Sequence, residues 1–325
     1  MKKIRVAING FGRIGRAFFK LAKENKEIEI VAVNDLGSIE VMNYLLKYDT
    51  VYGTSTHTLD GVKYISEKDP TKLPWKSLDI DVVVESTGLF TATDKAQVHI
   101  TAGAKKVVIT APIKDDESPT VLMAMNTDKL KSTGISSNAS CTTNAGSPLI
   151  AILDEALGIE KALLNTVHGY TASQALVDGP SKKDMREGRA AAQNIVPSST
   201  GAAIAVTKVM PHLSGLFDGI SIRVPVPCGS LVDVTFISKK NTTTEEVNEI
   251  LKKAASSDRW KGIFTVTEED LVSSDIVGNT HASIADLAFT RVVGGNLVKV
   301  LAWYDNEMGY TNTLVRHVIE AGRLV

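Results

Sequence analysis

The chain has 325 residues, and its 36 Lys and Arg against 37 Asp and Glu leave a formal net charge of −1. Near-neutrality supplies neither a basic stripe for nucleic acid nor an acidic solvating tail, and at about 150 residues per domain the length accommodates two domains. No stretch approaches the ~18 unbroken apolar residues of a membrane span, Arg5 interrupts the start MKKIRVAING too early for a signal peptide, and two cysteines make no disulfide framework. The expected setting is therefore the reducing cytoplasm, with no membrane or nucleic-acid partner.

Residues 4–9, IRVAIN, read as a buried strand, and GFGRIG follows directly before the helix-patterned RAFFKLAKE. A lone GxGxxG is a weak signal, but between a strand and a helix it has a mechanism. Gly10 permits the tight turn, Gly12 lets backbone approach a pyrophosphate, and Gly15 lets helix and strand pack closely. A second strand, IEIVAV at 28–33, leads to Asp35, about twenty residues beyond Gly15, where a carboxylate accepts from ribose hydroxyls and repels a 2′-phosphate. Turn glycines and a strand-end Asp without function would not account for the whole unit. NAD is the expected cofactor.

Strands then recur at 81–87 (DVVVEST), 105–110 (KKVVIT) and 120–126 (TVLMAMN), with a helix over TATDKAQVHITAG between the first two. This rhythm predicts a doubly wound parallel sheet. At Cys141 the pattern changes. The thiol is followed by Thr142, Thr143 and Asn144, good cap residues, and by AGSPLIAILDEAL, a core-facing helix. A cysteine at a helix N-terminus has a mechanism for a lowered pKa, strengthened by a neighbouring imidazole. His168, in the strand pattern LLNTVHGYT, is the candidate base.

Beyond it lies a long connection, 171–200, rich in Ser, Ala, Gly and charge, of a length usually functional or interfacial. The runs GISIRVPV, SLVDVTFIS and LVKVLAWYDN read as longer strands and TEEVNEILKKAA as a helix, an α+β domain. Cys228 enters a strand with no polar neighbourhood and reads as structural. The six histidines show no metal-ligand spacing, so no metal site is expected.

The ordered blocks INGFGRIGR, VVVESTGLFT, SNASCTTN, TVHGYTASQ, DGPSKKDMREGRAAAQNIVPSSTGAA, RVPVP and WYDNEMGY, spread along nearly the whole chain, closely resemble phosphorylating glyceraldehyde-3-phosphate dehydrogenases. The resemblance implies a Rossmann NAD-binding domain of residues 1–140 and 306–325 and a catalytic domain of 141–305. It implies Cys141 as nucleophile and His168 as base. Cofactor contacts would come from Gly10, Gly12, Arg13, Ile14, Gly15, Asp35, Thr110, Pro180, Asn306 and Tyr310. Thr171 and Arg223 would hold the phosphate of glyceraldehyde 3-phosphate, and Ser140, Thr142, Thr200 and Gly201 would hold inorganic phosphate. A glycolytic homotetramer is expected on the same grounds, with 171–200 at a subunit interface.

Three positions depart from the family pattern, as does the segment PCGSLVDV at 227–234, which usually reads PNVSVVDL. Ala145 stands where many members have a second cysteine, Ser173 where Asp or Thr is common, and Glu187 near a phosphate-binding Arg of some bacterial members. Three rival readings are a related dehydrogenase that resolves its thioester with water, against which Thr171 and SSTGAA weigh, a cysteine hydrolase, against which the glycine unit with Asp35 weighs, and a non-enzymatic RNA- or surface-binding role, against which the near-neutral charge weighs.

Overall fold

The computed structural model describes residues 2–181 and 184–325 and divides into two compact units, one reaching residue 140 and including 311–325, the other 141–310. In the first, the chain runs β1 (Ile4–Asn9), α1 (Arg13–Glu24), β2 (Ile28–Asn34), α2 (Ile39–Lys47) and a short hairpin, β3 (Tyr48–Asp49) and β4 (Gly53–Thr54). It continues through β5 (Lys63–Ile65), β6 (Val82–Glu85), α3 (Thr93–Thr101), β7 (Lys106–Ile109) and β8 (Ile135–Ser137). Six of these strands form a parallel sheet in the order β5-β2-β1-β6-β7-β8. The chain builds outward from β1 to one side and then the other, the doubly wound arrangement of dinucleotide-binding folds.

Strands buried on both faces need continuous apolar runs, and Val82, Val83 and Val84 of β6 are wholly buried. Helix α1 covers the sheet with Ala17, Phe18, Phe19 and Ala22. At the carboxyl edge Asn34, Asn9 and Glu85 are register neighbours on three adjacent strands. Asn34 donates to Asn9 (2.7 Å), and Asn9 (2.6 Å), Thr87 N (2.8 Å) and the Thr87 hydroxyl (2.5 Å) donate to the buried Glu85 carboxylate. Trp75 donates to His99 Nδ1, so His99 Nε2 carries the proton that it gives to Glu85. The turns that follow these strands are thus tied to one carboxylate.

The strand expected over 120–126 does not form. Only Thr120 bridges, to Ser137, and the sixth strand is β8. Asn126 explains the difference: its side chain accepts from Leu122 N at 2.8 Å and donates to Thr120 O at 2.9 Å, while Ala124 adopts φ 65°. An Asn that closes a loop in this way competes with the ladder for the same backbone groups.

The second unit comprises α4 (Cys141–Leu157), β9 (Ile159–Gly169), β10 (Val196–Ser199), α5 (Ala202–Val209), β11 (Phe217–Val224), β12 (Ser230–Ser238) and α6 (Thr244–Ala255). It continues with β13 (Phe264–Thr267), β14 (Ser283–Val293), β15 (Leu297–Tyr304) and the start of α7 (Met308–Gly322), most of which belongs to the first unit. Its mixed sheet has the order β10-β11-β9-β12-β15-β14-β13. With the parallel sheet of the first unit this makes the expected α/β chain with an α+β second part. The connection 171–200 is more ordered than a loop, because Met185–Gly188 forms a 3-10 turn and β10 pairs with β11. Lys182 and Lys183 lie outside the described residues.

Side chains alternate across this sheet. Ala162, Leu164, Thr166 and His168 of β9 point to the buried face, where α4 packs against β9, β12, β14 and β15. Leu163 points the other way and is 66% exposed. Helix α4 is buried almost all round, which places its first residue against the sheet's inner face.

Candidate active site

The chain enters α4 through Ala139, which is fully buried with φ 56°. A non-glycine residue there costs roughly 1–2 kcal/mol. The bend is held by Ala139 N donating to Ser137 Oγ, itself bonded to Ala111 O. Cys141 is the first helical residue, at the positive end of the helix, where first-turn N–H groups lack intrahelical acceptors. Thr142, Thr143 and Asn144, expected as caps, lie inside the helix and are buried, because α4 starts about one turn earlier than its apolar pattern indicates.

On the facing sheet, register pairs His168 of β9 with Arg223 of β11. His168 Nε2 is 3.3 Å from Cys141 Sγ. Its Nδ1 is 2.6 Å from Gly169 O and 2.6 Å from Arg223 Nη1, and that same Nη1 donates to Gly169 O at 3.3 Å. Three residues expected at the site are therefore side by side.

Sequence reasoning missed two neighbours. Tyr304 packs edge-on to the His168 ring, with centroids 6.0 Å apart, and its hydroxyl bonds both Thr142 Oγ1 and Thr166 Oγ1. Ser230 accepts from Gly169 N and donates to Asn306 Oδ1. Both residues lie at β-strand ends, and only strand pairing brings them to His168.

Burial sets the protonation of the pair. Desolvation pushes the Cys141 thiol above its ordinary value, opposed by the Arg223 charge and by hydrogen bonds from Thr142. Desolvation, reinforced by Arg223, depresses His168 to about 4. The lowered thiol expected from the helix terminus is thus outweighed by loss of water. The helix dipole contributes at most ~2 kcal/mol in partly buried geometry, less than the penalty of leaving an anion dry. Near neutral pH His168 is an uncharged imidazole facing a thiol.

The remaining expected residues divide. Thr171 follows β9 by two residues and its hydroxyl bonds Ser173 Oγ at 3.0 Å. Thr142 is buried, its hydroxyl bonded to Tyr304, while Ser140 directly precedes Cys141. Thr200 Oγ1 accepts from Ala202 N at the start of α5, with Gly201 as the N-cap. Among the described residues neither Thr200 nor Gly201 bonds Cys141, His168 or Arg223. Glu187 accepts from Ser198 on β10 at 2.9 Å, which sets a carboxylate beside the strand leading to Thr200. Tyr310 is buried in α7 and Pro180 is exposed. Cys228 is buried and donates to Asp305 at 3.1 Å, a structural contact.

The first unit's glycine turn fits a dinucleotide. A Cβ on Gly10, at φ 95°, would stand 2.7 Å from Thr87 N, and one on Gly15 would stand 2.2 Å from Gly10 O. Neither position admits a side chain. A Cβ on Gly12 would meet nothing within 4 Å, so the space beside the α1 N-terminus is open to a ligand. Arg13 is held by Asp49 at 3.1 and 3.2 Å, which leaves the backbone of Arg13 and Ile14 to face a phosphate. Asp35 accepts from Phe11 N at 2.7 Å and Gly37 N at 3.0 Å, one bond to each oxygen. Each oxygen keeps a second lone pair for a ribose hydroxyl. Thr110 N donates to Glu85 O at the end of β7, on the same edge of the sheet.

Comparison with known proteins agrees with both halves. Residues 4–93 match the family model described as glyceraldehyde 3-phosphate dehydrogenase, NAD binding domain, and residues 140–306 match its C-terminal domain. The chain is 48% identical to a glyceraldehyde-3-phosphate dehydrogenase of Streptomyces coelicolor, over 98% of each protein. It is 46% identical to glyceraldehyde-3-phosphate dehydrogenase 2 of Bacillus subtilis, over 97% of each. It is also 46% identical to glyceraldehyde-3-phosphate dehydrogenase A of Escherichia coli, over 97% of this chain and 99% of that one.

Proposed function

The chain belongs to the glyceraldehyde 3-phosphate dehydrogenase family, and on that premise we propose how its own residues carry the family's reaction, the NAD-dependent oxidation of glyceraldehyde 3-phosphate to 1,3-bisphosphoglycerate in glycolysis. The observation that carries the reading is Cys141 Sγ 3.3 Å from His168 Nε2 at the start of α4.

Cys141 attacks the aldehyde carbon as its proton passes to His168, and the carbonyl oxygen takes the electron pair. The Cys141 backbone N–H and the protonated imidazole hold that oxyanion, which gains the proton to give a thiohemiacetal. His168 then removes the hydroxyl proton while the carbon gives up its hydride, leaving a thioester on Cys141. NAD, when bound, is the hydride acceptor. Inorganic phosphate attacks the thioester carbon, the C–S bond breaks, and the acyl phosphate leaves with Cys141 restored.

Two anion sites serve these steps. Arg223 and Thr171 bind the phosphate of the substrate, and that remote binding energy positions the aldehyde against sulfur. Ser140, Thr142, Thr200 and Gly201 receive inorganic phosphate, for which the Thr142 hydroxyl turns from Tyr304. The cofactor's carriers are Gly10, Gly12, Arg13, Ile14, Gly15, Asp35, Thr110, Pro180, Asn306 and Tyr310, with residues 1–140 and 306–325 as the cofactor domain and 141–305 as the catalytic one. The Asn306 amide, its oxygen occupied by Ser230, has its nitrogen as donor for the nicotinamide carboxamide.

The working unit is a homotetramer in the cytoplasm. The open face of the seven-stranded sheet supports assembly, since Leu163, Ile220 and Leu297 are 66%, 55% and 42% exposed there, and apolar sheet faces of this kind are covered by partners. The deciding experiment is reduction of NAD by the purified protein with glyceraldehyde 3-phosphate, with and without inorganic phosphate. Turnover that depends on phosphate is expected; stoichiometric reduction without phosphate followed by steady hydrolytic turnover would reject the phosphorylating reading.

A further inference from the structure

Glu85 ends β6 and is 1% exposed, and three hydrogen-bond relays run into its carboxylate. In the first, the Trp75 indole donates to His99 Nδ1 and His99 Nε2 donates to Glu85 Oε2 at 2.9 Å. In the second, Glu67 N donates to Asn34 Oδ1 at 2.9 Å, Asn34 Nδ2 to Asn9 Oδ1 at 2.7 Å, and Asn9 Nδ2 to Glu85 Oε2 at 2.6 Å. In the third, Leu89 N donates to Thr87 Oγ1, whose hydroxyl donates to Glu85 Oε1 beside a direct bond from Thr87 N.

Each relay starts at an indole or backbone N–H, which can only donate. The direction of every later bond is thereby set, both asparagine amides included, and the relays need a common end that only accepts. Four donors fill the four lone-pair sites of Glu85 and leave no acceptor for a proton on it, so the group is an ionised carboxylate beside a neutral imidazole. A glutamine cannot take its place. Turned either way, the NH2 would meet donors: Asn9 and His99 on one side, Thr87 N on the other.

The same residues border the segments that face the cofactor. Asn9 directly precedes Gly10 and Asn34 directly precedes Asp35. Ser86 Oγ donates to Gly10 O at 2.6 Å, and Thr110 N donates to Glu85 O at 3.0 Å.

We propose that Glu85 is a positioning residue for NAD, its buried carboxylate locking the turns after β1, β2 and β6 in their binding form before the cofactor arrives, which rests on the reading of Gly10, Asp35 and Thr110 as cofactor contacts given above. Glu85 acts through those turns and touches no reacting atom. Backbone ordered in advance loses less entropy on binding, and the difference is read as affinity.

The test uses the full-length protein and NAD itself. In hydrogen exchange the Thr87 amide should be protected in the free parent, with little added by NAD; exchange at the rate of an open loop overturns the inference. Glu85→Gln should lose that protection and raise the NAD Kd, measured by calorimetric titration, about tenfold, the scale of one lost bond to a charged group. Alkylation of Cys141 by iodoacetamide, and kcat at saturating NAD, should stay within about twofold of the parent. Trp75→Phe removes an outer donor but keeps the carboxylate and its four bonds, so Tm should fall while the NAD Kd is unmoved. NAD affinity lost equally in both variants, or unchanged in folded Glu85→Gln, would mark a merely structural role and overturn the inference. Should Glu85→Gln not fold, Asn9→Ser, which cuts the second relay alone, carries the same comparison with Trp75→Phe. Asp35→Ser separates the two readings. If it binds NAD as tightly as the parent, the reading of the cofactor site falls and the inference with it. If it weakens NAD while Glu85→Gln does not, only the inference falls.

Discussion

The Tyr304 hydroxyl lies 3.0 Å from Thr142 Oγ1, one residue along α4 from Cys141. The same oxygen is 2.8 Å from Thr166 Oγ1 on β9, so one phenol links the helix bearing the thiol to the strand bearing His168. Burial, with the nearby Cys141, raises the Tyr304 pKa and keeps the phenol protonated. Tyr304→Phe leaves two buried threonine hydroxyls short of a partner, at about 1–3 kcal/mol for an unmatched buried group. We expect a Tm lower by several degrees and a several-fold slower alkylation of Cys141. Calorimetry and iodoacetamide kinetics on the same preparation measure both; unchanged values would show that the link carries no structural role.

The two cysteines should separate cleanly. Cys141→Ser removes NAD reduction, because a serine hydroxyl beside an imidazole is a far weaker nucleophile than a thiol. Cys228→Ala retains most activity, since Asp305 Oδ1 keeps bonds from Glu307 N and Met308 N. Peptide mapping after limited iodoacetamide treatment should find the label on Cys141 first. Label on Cys228 first would refute the assignment.

NAD should be preferred over NADP. Asp35, proposed to bind the ribose, is fixed by Phe11 N and Gly37 N, and Leu36, 63% exposed, supplies no cation for a 2′-phosphate. Asp35→Ser should narrow the preference by at least about tenfold, the scale of one like-charge contact of ~1.4 kcal/mol. Equal kcat/KM with both cofactors in the parent protein would refute this role.

Stability should fall as pH drops below about 6.5, in part through two buried histidines. Burial and Arg223 depress His168 to about 4, and burial depresses His317, bonded to Ser136 and Asn138, to about 3. A folded-state pKa below the unfolded value means that the unfolded chain binds the proton first. Their contribution is complete above the unfolded pKa and is lost as pH falls from there towards 4 and 3. In that window each removes up to about 1.4 kcal/mol per pH unit. Urea midpoints measured from pH 7 to pH 4 should show the slope, and His317→Gln should flatten it; an identical slope in the variant would assign the acid lability to other groups.

Glu187 places a carboxylate beside the residues proposed for inorganic phosphate. Glu187→Gln keeps an acceptor for Ser198 and removes the charge, which near a protein surface is worth on the order of 1 kcal/mol against a dianion, about fivefold. The KM for inorganic phosphate should fall by that factor while the KM for NAD is unmoved. A phosphate KM that rises or stays constant would place Glu187 outside the phosphate's field.

Features set by local rules are legible in the order of residues along the chain. The glycine turn follows from close approaches that only glycine allows, as Gly15 shows against Gly10 O. The helix over 244–255 and the strand over 230–238 form at those limits, because capping by Thr243 and strict apolar alternation act within a few residues. Local signals fail at 120–126, where one Asn side chain outcompetes a β-patterned run for the backbone, and at the start of α4, where burial of Thr142–Asn144 extends the helix beyond its apolar pattern.

The contacts of the site belong to tertiary structure. His168 stands beside Arg223 because β9 and β11 pair in parallel with that register, and Tyr304 reaches Thr142 because β15 is next but one to β9. No spacing along the chain encodes either pairing. The thiol's protonation is equally hidden from the sequence. The helix-end effect can be read from residue order, whereas the opposing loss of water depends on every neighbour the fold brings in, and for Cys141 the second outweighs the first. Sequence by itself named the candidate groups, because residue type and local pattern are read along the chain; the packed sheet decided which of them touch and how much water remains around the sulfur.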